Sequence, residues 1–145
     1  MEIYSIGFTQ KNASQFFCAL KAHGIERLLD VRLNNTSQLA GFAKQADLPY
    51  FLREICGASY EHEPLLAPTQ EILDAYKKRK GAWDTYEKAF LALMHNRKIE
   101  STIRKENFMQ RTVLLCSEAT AEHCHRRLIL EYLQKHWDDI KIHHL

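Results

Sequence analysis

Two adjacent segments decide the fold: TVLLCSE at residues 112–118 and EHCHRRLILEYL at residues 122–133. The first begins with an apolar run of the length expected for a strand that is buried on both faces. The second repeats apolar residues at helical spacing, so that His125, Leu128 and Ile129 share one face. A buried strand followed by a helix predicts an α/β domain, with the intervening polar residues at the carboxyl end of the strand.

The rest of the chain alternates in the same way. Asn12 and Gln15 have the spacing of a helix capping box. Further strands are predicted at 3–6, 28–31, 59–63 and 140–145, and further helices after Asn12, Asp47 and Thr69, along a stripe from Trp83 to Met94, and at 122–136. We therefore expect one Rossmann-like α/β domain over residues 1–145, with a mostly parallel open sheet of about five strands and helices on both faces. The simplest strand order places the first strand beside the strand at 112–116.

Composition narrows the class of protein without naming a reaction. The 145 residues carry a net charge of +2, which does not indicate a polybasic nucleic-acid binder. No apolar run reaches the roughly 20 residues that span a bilayer, and the amino terminus resembles a strand more than a signal peptide. We expect a cytosolic protein that does not enter the membrane. Its four cysteines are too sparse for a disulfide framework, and we expect reduced thiols.

Three residues near the strand–helix junction are candidates for catalysis. Cys124 lies close to the predicted helix start, where a thiolate is stabilised, although a buried inert cysteine has the same pattern. His125 is either a core histidine or a general base. Glu118 either exchanges protons with a substrate or forms an ion pair with Arg32 or Arg126.

A second group of residues is predicted to bind the ligand. Asp30 and Arg32 point to the same side of their strand, so they either hold a polar ligand together or neutralise each other. The loop after the first strand is expected to face Cys116 across the crevice. The candidate ligand-binding residues are Gly7, Thr9, Asp30, Arg32, Asn34, Cys116 and Arg126.

Familiar cysteine motifs do not match the sequence. An anion-binding phosphatase or rhodanese loop needs arginine six positions after the cysteine, where this chain has Glu122 or Leu130. The His-x-Glu and Cys-x-x-Cys motifs of zinc deaminases are absent. The spacing of Cys116 and Cys124 fits no standard structural zinc site, so we expect no metal and no cofactor, and metal binding is a third possibility that elemental analysis would test.

Basic residues form two clusters that give an alternative function. One is Lys77 to Lys80 beside Trp83, and the other runs from Arg97 to Arg111. Such clusters bind nucleic-acid phosphates, with an aromatic ring for stacking, or they form the solvated face of a helix.

Several short motifs together resemble a known family. They are IGFT at 6–9, DVRLNN at 30–35, SQLAGF at 37–42, LLCSE at 114–118 and HCHRR at 123–127. The chain is similar throughout to the bacterial and archaeal family called domain of unknown function 488. The resemblance implies a Rossmann-like domain with its signature residues at strand ends, but no reaction. Many relatives have Gly-His-Ser where this chain has Gly7-Phe8-Thr9, which shifts proton transfer to His125 and Glu118.

These features favour a small enzyme, a hydrolase or a group transferase, that acts on a polar, anionic, nucleotide-like or nucleic-acid-like substrate. Arg32 and Arg126 would hold anionic groups, and Glu118 and His125 would transfer protons. Cys124 would be either the nucleophile or part of the scaffold. The alternative is a non-enzymatic module that binds nucleic acid or protein through its basic helices, in which case the Cys/His/Arg cluster is structural.

Overall fold

The computed structural model describes residues 1–36 and 40–145. Ser37, Gln38 and Leu39, part of the predicted polar loop and of one family motif, lie outside the described residues. The strands are β1 (Glu2–Gly7), β2 (Arg27–Asp30), β3 (Ser59–His62), β4 (Thr112–Cys116) and β5 (Lys141–His144). The α-helices are α1 (Ala13–Ala22), α2 (Leu48–Phe51), α3 (Gln70–Lys77), α4 (Trp83–Asn96), α5 (Ile99–Thr102) and α6 (His125–His136).

The five strands form one parallel sheet in the order β3-β2-β4-β1-β5. The predicted pairing of the first strand with the strand at 112–116 is confirmed, with Gly7 opposite Cys116. On its other side β4 pairs with β2, where Asp30 lies opposite Leu115. Because the strands are parallel, the carboxyl ends of β1, β2 and β4 lie at the same edge of the sheet.

Alternate residues of the central strand enter two separate cores. Leu114 and Cys116 pack into a cluster with residues of α4 and α6 on one face of the sheet. Val113 and Leu115 pack into a second cluster with α1 and the segment around α2 on the other face. All five residues of β4 are buried, which explains its continuous apolar sequence. The expected α/β class, with helices on both faces, is confirmed.

Helix starts follow their local capping chemistry. Asn12 and Gln15 form the predicted capping box at α1. The predicted start of the last helix at Glu122 is wrong, since α6 begins at His125 and Cys124 is its extended N-cap residue. The chain first passes over the end of β1, where both the amide and the hydroxyl of Thr9 bond to the carbonyl of Ser117. The helix therefore begins three residues after the predicted position.

No helix in the described part of the chain is both long enough and apolar enough to cross a membrane.

Gly7 allows the loop after β4 to pack against the end of β1 without a side chain between them. A Cβ atom at this position would overlap the carbonyl oxygen of Glu118 and lie 2.9 Å from Nη1 of Arg126. The loop after β4 can therefore lie directly on the end of β1 only if residue 7 has no side chain.

Replacing Gly7 with alanine should reduce the free energy of unfolding by about 3 kcal/mol, the upper end of the usual cost of overpacking. The measurement is urea denaturation followed by circular dichroism. Gly41→Ala is the matched control, because its added Cβ meets nothing within 4 Å among the described residues. Equal stability of the two variants would show that the loop does not need this close approach.

Candidate functional site

A cleft of about 190 Å³ opens at the carboxyl ends of β2 and β4, beside the start of α6. Its volume is below the range of about 300–1,000 Å³ that is typical for drug-sized ligands, so it suits a single ring system. The lining consists of Arg32, Leu33, Asn34, Pro68, Leu73, Tyr76, Lys77, Trp83, Tyr86, Cys116, Ser117, Glu118, His123, Cys124 and His125. All three predicted catalytic residues belong to this lining.

The floor of the cleft contains two cysteines that come from different elements. Cys116 ends β4 and Cys124 precedes α6. Their sulfur atoms lie within bonding distance, although their Cα atoms are 7.7 Å apart. The structure joins these two cysteines in a disulfide, so the expectation of reduced thiols is corrected for this pair, whereas Cys18 and Cys56 are free. The sequence did not predict the pair, because the expectation of reduced thiols rested on the low density of cysteines in the chain.

Arg126 lies beneath the cysteines and is completely buried. Its Nη1 donates to Cys116 Sγ at 3.2 Å, to Cys124 Sγ at 3.7 Å and to the Glu118 carbonyl at 2.7 Å, while Nε donates to Ser5 Oγ. Within the described residues none of these bonds goes to a carboxylate, and Nη2 has no partner. Burial lowers the pKa of Arg126 to about 10, so the side chain is still charged near neutral pH. A buried cation of this kind favours the thiolate form of a neighbouring cysteine.

His125 joins the start of α6 to the end of β2. Its Nε2 lies 2.7 Å from the Val31 carbonyl oxygen. Since a carbonyl only accepts, Nε2 must carry the proton, and the neutral ring has its lone pair on Nδ1. Burial lowers the pKa of His125 to about 4, so the ring is neutral near pH 7. This geometry is suited to accepting or coordinating at Nδ1.

Glu118 is the carboxylate of the cleft. Its side chain is 42% exposed and pairs with Lys77 of α3, so the ion pair with Arg32 or Arg126, one of the two predicted alternatives, is not formed. Only its backbone carbonyl contacts Arg126. The carboxylate is therefore open to solvent and can reach a ligand in the cleft.

Asp30 and Arg32 form a closed pair behind the cleft. Nε and Nη2 of Arg32 donate to the two carboxylate oxygens of Asp30, each at 2.9 Å. Nη2 also donates to the Ala43 carbonyl, and Tyr60 donates its hydroxyl to Asp30. Asp30 is fully buried and is not among the lining residues, whereas Arg32 contributes to the wall. Of the two predicted alternatives, mutual neutralisation describes this geometry.

The other predicted ligand residues separate into two groups. Gly7 and Thr9 hold the loop after β4 in place and are not among the cleft residues. Asn34 is exposed and lines the cleft.

One side of the cleft is an aromatic wall, defined by Tyr76, Trp83, Tyr86 and His123. The sequence did not predict this wall and indicated only Trp83, as a stacking ring for nucleic acid. Trp83 stacks on His123 at 4.9 Å and on Tyr86 at 5.1 Å between ring centroids. Tyr76 meets Trp83 edge to face. Helical spacing assigned Trp83 and Tyr86 to the inner stripe of α4. Tyr86 is indeed buried, but both rings also face the cleft.

Many residues of the basic clusters have structural partners. Arg97 donates to the carbonyls of Leu65 and Ala67, and Arg111 donates to the His23 carbonyl. Lys78, which follows the last residue of α3, pairs with Asp74 of that helix. These contacts explain part of the basic composition without nucleic acid.

The parallel sheet and the cleft at its strand ends define a Rossmann-like α/β protein with a candidate ligand site in the usual place for that class. A family model described as "Domain of unknown function DUF488" matches residues 12–133. The chain belongs to this family, as its motifs indicated. No curated protein and no solved structure matches the chain.

The Asp30–Arg32 pair should be essential for stability. Asp30→Asn leaves the buried guanidinium of Arg32 without a counter-charge, and we expect the free energy of unfolding to fall by about 3–5 kcal/mol. The measurement is urea denaturation at neutral pH.

The control is Glu54→Gln, which breaks the exposed pair between Arg53 and Glu54. Exposed pairs contribute little, so this variant should unfold like the wild type. A loss below about 1 kcal/mol for Asp30→Asn would mean that the buried pair is not a structural requirement.

Proposed function

We propose that the chain is a small cytosolic enzyme, built as one α/β domain, that hydrolyses or transfers a group on a nucleotide-like substrate. One observation carries the proposal: a single cleft combines an aromatic wall with a reactive floor of Cys116, Cys124 and His125 and an accessible carboxylate, Glu118. Titratable groups that gather in one cleft are typical of active sites.

The aromatic wall supports a planar ring as the part of the substrate that enters the cleft. Trp83 is half-buried and His123 is exposed, so a ring can stack on the wall by displacing His123. Stacking on aromatic side chains is tolerant of base identity. Because the cleft is small, only the ring of a nucleotide would enter it, and the sugar and phosphate would lie at the rim.

Lys77 supports an anionic group at that rim. Its side chain is 48% exposed and its nearest carboxylate is Glu118. A phosphate that binds Lys77 would replace Glu118 as the partner of this lysine. The Glu118 carboxylate could then transfer protons to and from the ring of the substrate. In this arrangement Glu118 is the general acid and base. Arg126 positions the cysteines at the bottom of the cleft and does not contact the substrate.

Ligand binding can be measured by quenching of Trp83 fluorescence in a Trp137→Phe background, with nucleosides, nucleoside monophosphates and sugar phosphates as ligands. We expect monophosphates to bind about 10-fold more tightly than nucleosides, the size of one charge-assisted hydrogen bond. Lys77→Met should abolish this preference. Lys78→Met, at the next position along the chain but outside the cleft lining, should retain it.

Turnover tests the role of Glu118. Any substrate found in the panel should bind Glu118→Gln and be turned over at least about 100-fold more slowly, as expected for loss of a general acid–base group. Wild-type turnover in this variant, or equal binding of nucleosides and monophosphates, would contradict the proposal. Salt-dependent DNA or RNA binding that requires Lys77 to Lys80 but not Cys124 would support the alternative binding module.

A further inference from the structure

We propose that, once a dithiol reductant has opened the bond between Cys116 and Cys124 and has itself been oxidised to a disulfide, these two cysteines and His125 bind one Zn²⁺ ion at the floor of the cleft and leave a fourth coordination position for water. One ligand atom from each of the three residues lies within 4.8 Å of the other two. Two thiolates and an imidazole are a ligand set that Zn²⁺ prefers. The spacing along the sequence matches no standard motif, because strand pairing brings the residues together.

The backbone at the two cysteines suits a shared ion better than a covalent bond. Their Cα atoms are 7.7 Å apart, whereas disulfides usually span about 4.4–6.8 Å between Cα atoms. In a tetrahedral site with Zn–S bonds of about 2.3 Å, the two sulfurs are roughly 3.7 Å apart. To reach that separation, the bond between the sulfurs must be reduced and the two side chains must turn apart.

The residues around the cluster have the orientation that metal ligands need. The Nε2–H of His125 is held by the Val31 carbonyl at 2.7 Å. Coordinating histidines commonly donate their other ring N–H in this way, which leaves Nδ1 for the ion.

Arg126 supports both thiolates. Its Nη1 contacts the two sulfurs at 3.2 and 3.7 Å, and its position is fixed by Ser5 and the Glu118 carbonyl. Metal ligands must be deprotonated, and a buried guanidinium with no carboxylate among its described partners favours that state. The positive charge of Arg126 therefore stabilises the two cysteines as thiolates.

The open position gives the site a catalytic rather than a structural character. All three ligands line the cleft, and three protein ligands with one free position are typical of catalytic zinc. Glu118 lies in the same lining but is not part of the ligand cluster. A histidine, two cysteines and a non-coordinating glutamate are the groups with which zinc deaminases hydrolyse nucleobases. Here they occur in a different order along the chain.

The hydrolytic step rests on the proposed function, whereas the ion site does not. Water at the open position would give one proton to Glu118, and the resulting hydroxide oxygen would bond to an electrophilic ring carbon. The bond from that carbon to its leaving group would then break. The leaving group would take the proton from Glu118, so that water is the only co-reactant.

The ion site is tested on full-length, untagged protein that is reduced, incubated with Zn²⁺ and desalted. Elemental analysis should find about one Zn²⁺ per chain. Cys116→Ser and Cys124→Ser should each weaken Zn²⁺ binding at least about 100-fold, since each removes a direct ligand. The matched control, Cys18→Ser, changes a free cysteine on α1 and should keep full zinc content.

A second measurement avoids variants that fail to fold. Wild-type protein loaded with Co²⁺ should show the visible bands of a tetrahedral ion with thiolate ligands, and added Zn²⁺ should remove them. Reduced wild-type protein that holds no stoichiometric zinc, or Cys116→Ser and Cys124→Ser that bind zinc like the wild type, would overturn the ion site. Zinc without turnover of any nucleotide would instead overturn the proposed function and leave the site in place.

Discussion

The cleft depends on one buried cation. Arg126 ties Ser5 in β1 to the Glu118 carbonyl after β4 and to the sulfurs of Cys116 and Cys124. Burial of a charged group without an ionic partner costs several kcal/mol. The hydrogen bonds offset this cost only if all these segments meet in one geometry. The guanidinium therefore determines how the strand ends and the helix start are placed.

The α/β framework follows from features that can be read locally. The apolar run at 112–116 indicates a strand buried on both faces, and all five of its residues are buried. The helix after Asn12 has its capping box within four residues. The start of α6 could not be predicted in the same way. Its position depends on the contact between Thr9 and Ser117, which joins residues more than a hundred positions apart.

The candidate site was also predictable only in part. Glu118, which follows the end of β4, and Cys124 and His125 at the start of α6 were predicted as site residues. The reason was that the ends of parallel strands converge at one edge of the sheet. The aromatic wall was missed because helical spacing distinguishes the inner face of a helix from its outer face, but does not reveal whether that inner face meets a core or a cleft. Trp83 meets both.

The strand order has a consequence for the way the chain is made. β4 lies between β1 and β2, yet it is translated about eighty residues after β2. While the ribosome synthesises the intervening helices, the nascent β1 and β2 each present an unpaired edge where β4 will later insert. The amino-terminal half therefore cannot complete the sheet by itself, and the central pairing of β1 and β2 with β4 forms only after residues 112–116 have been synthesised.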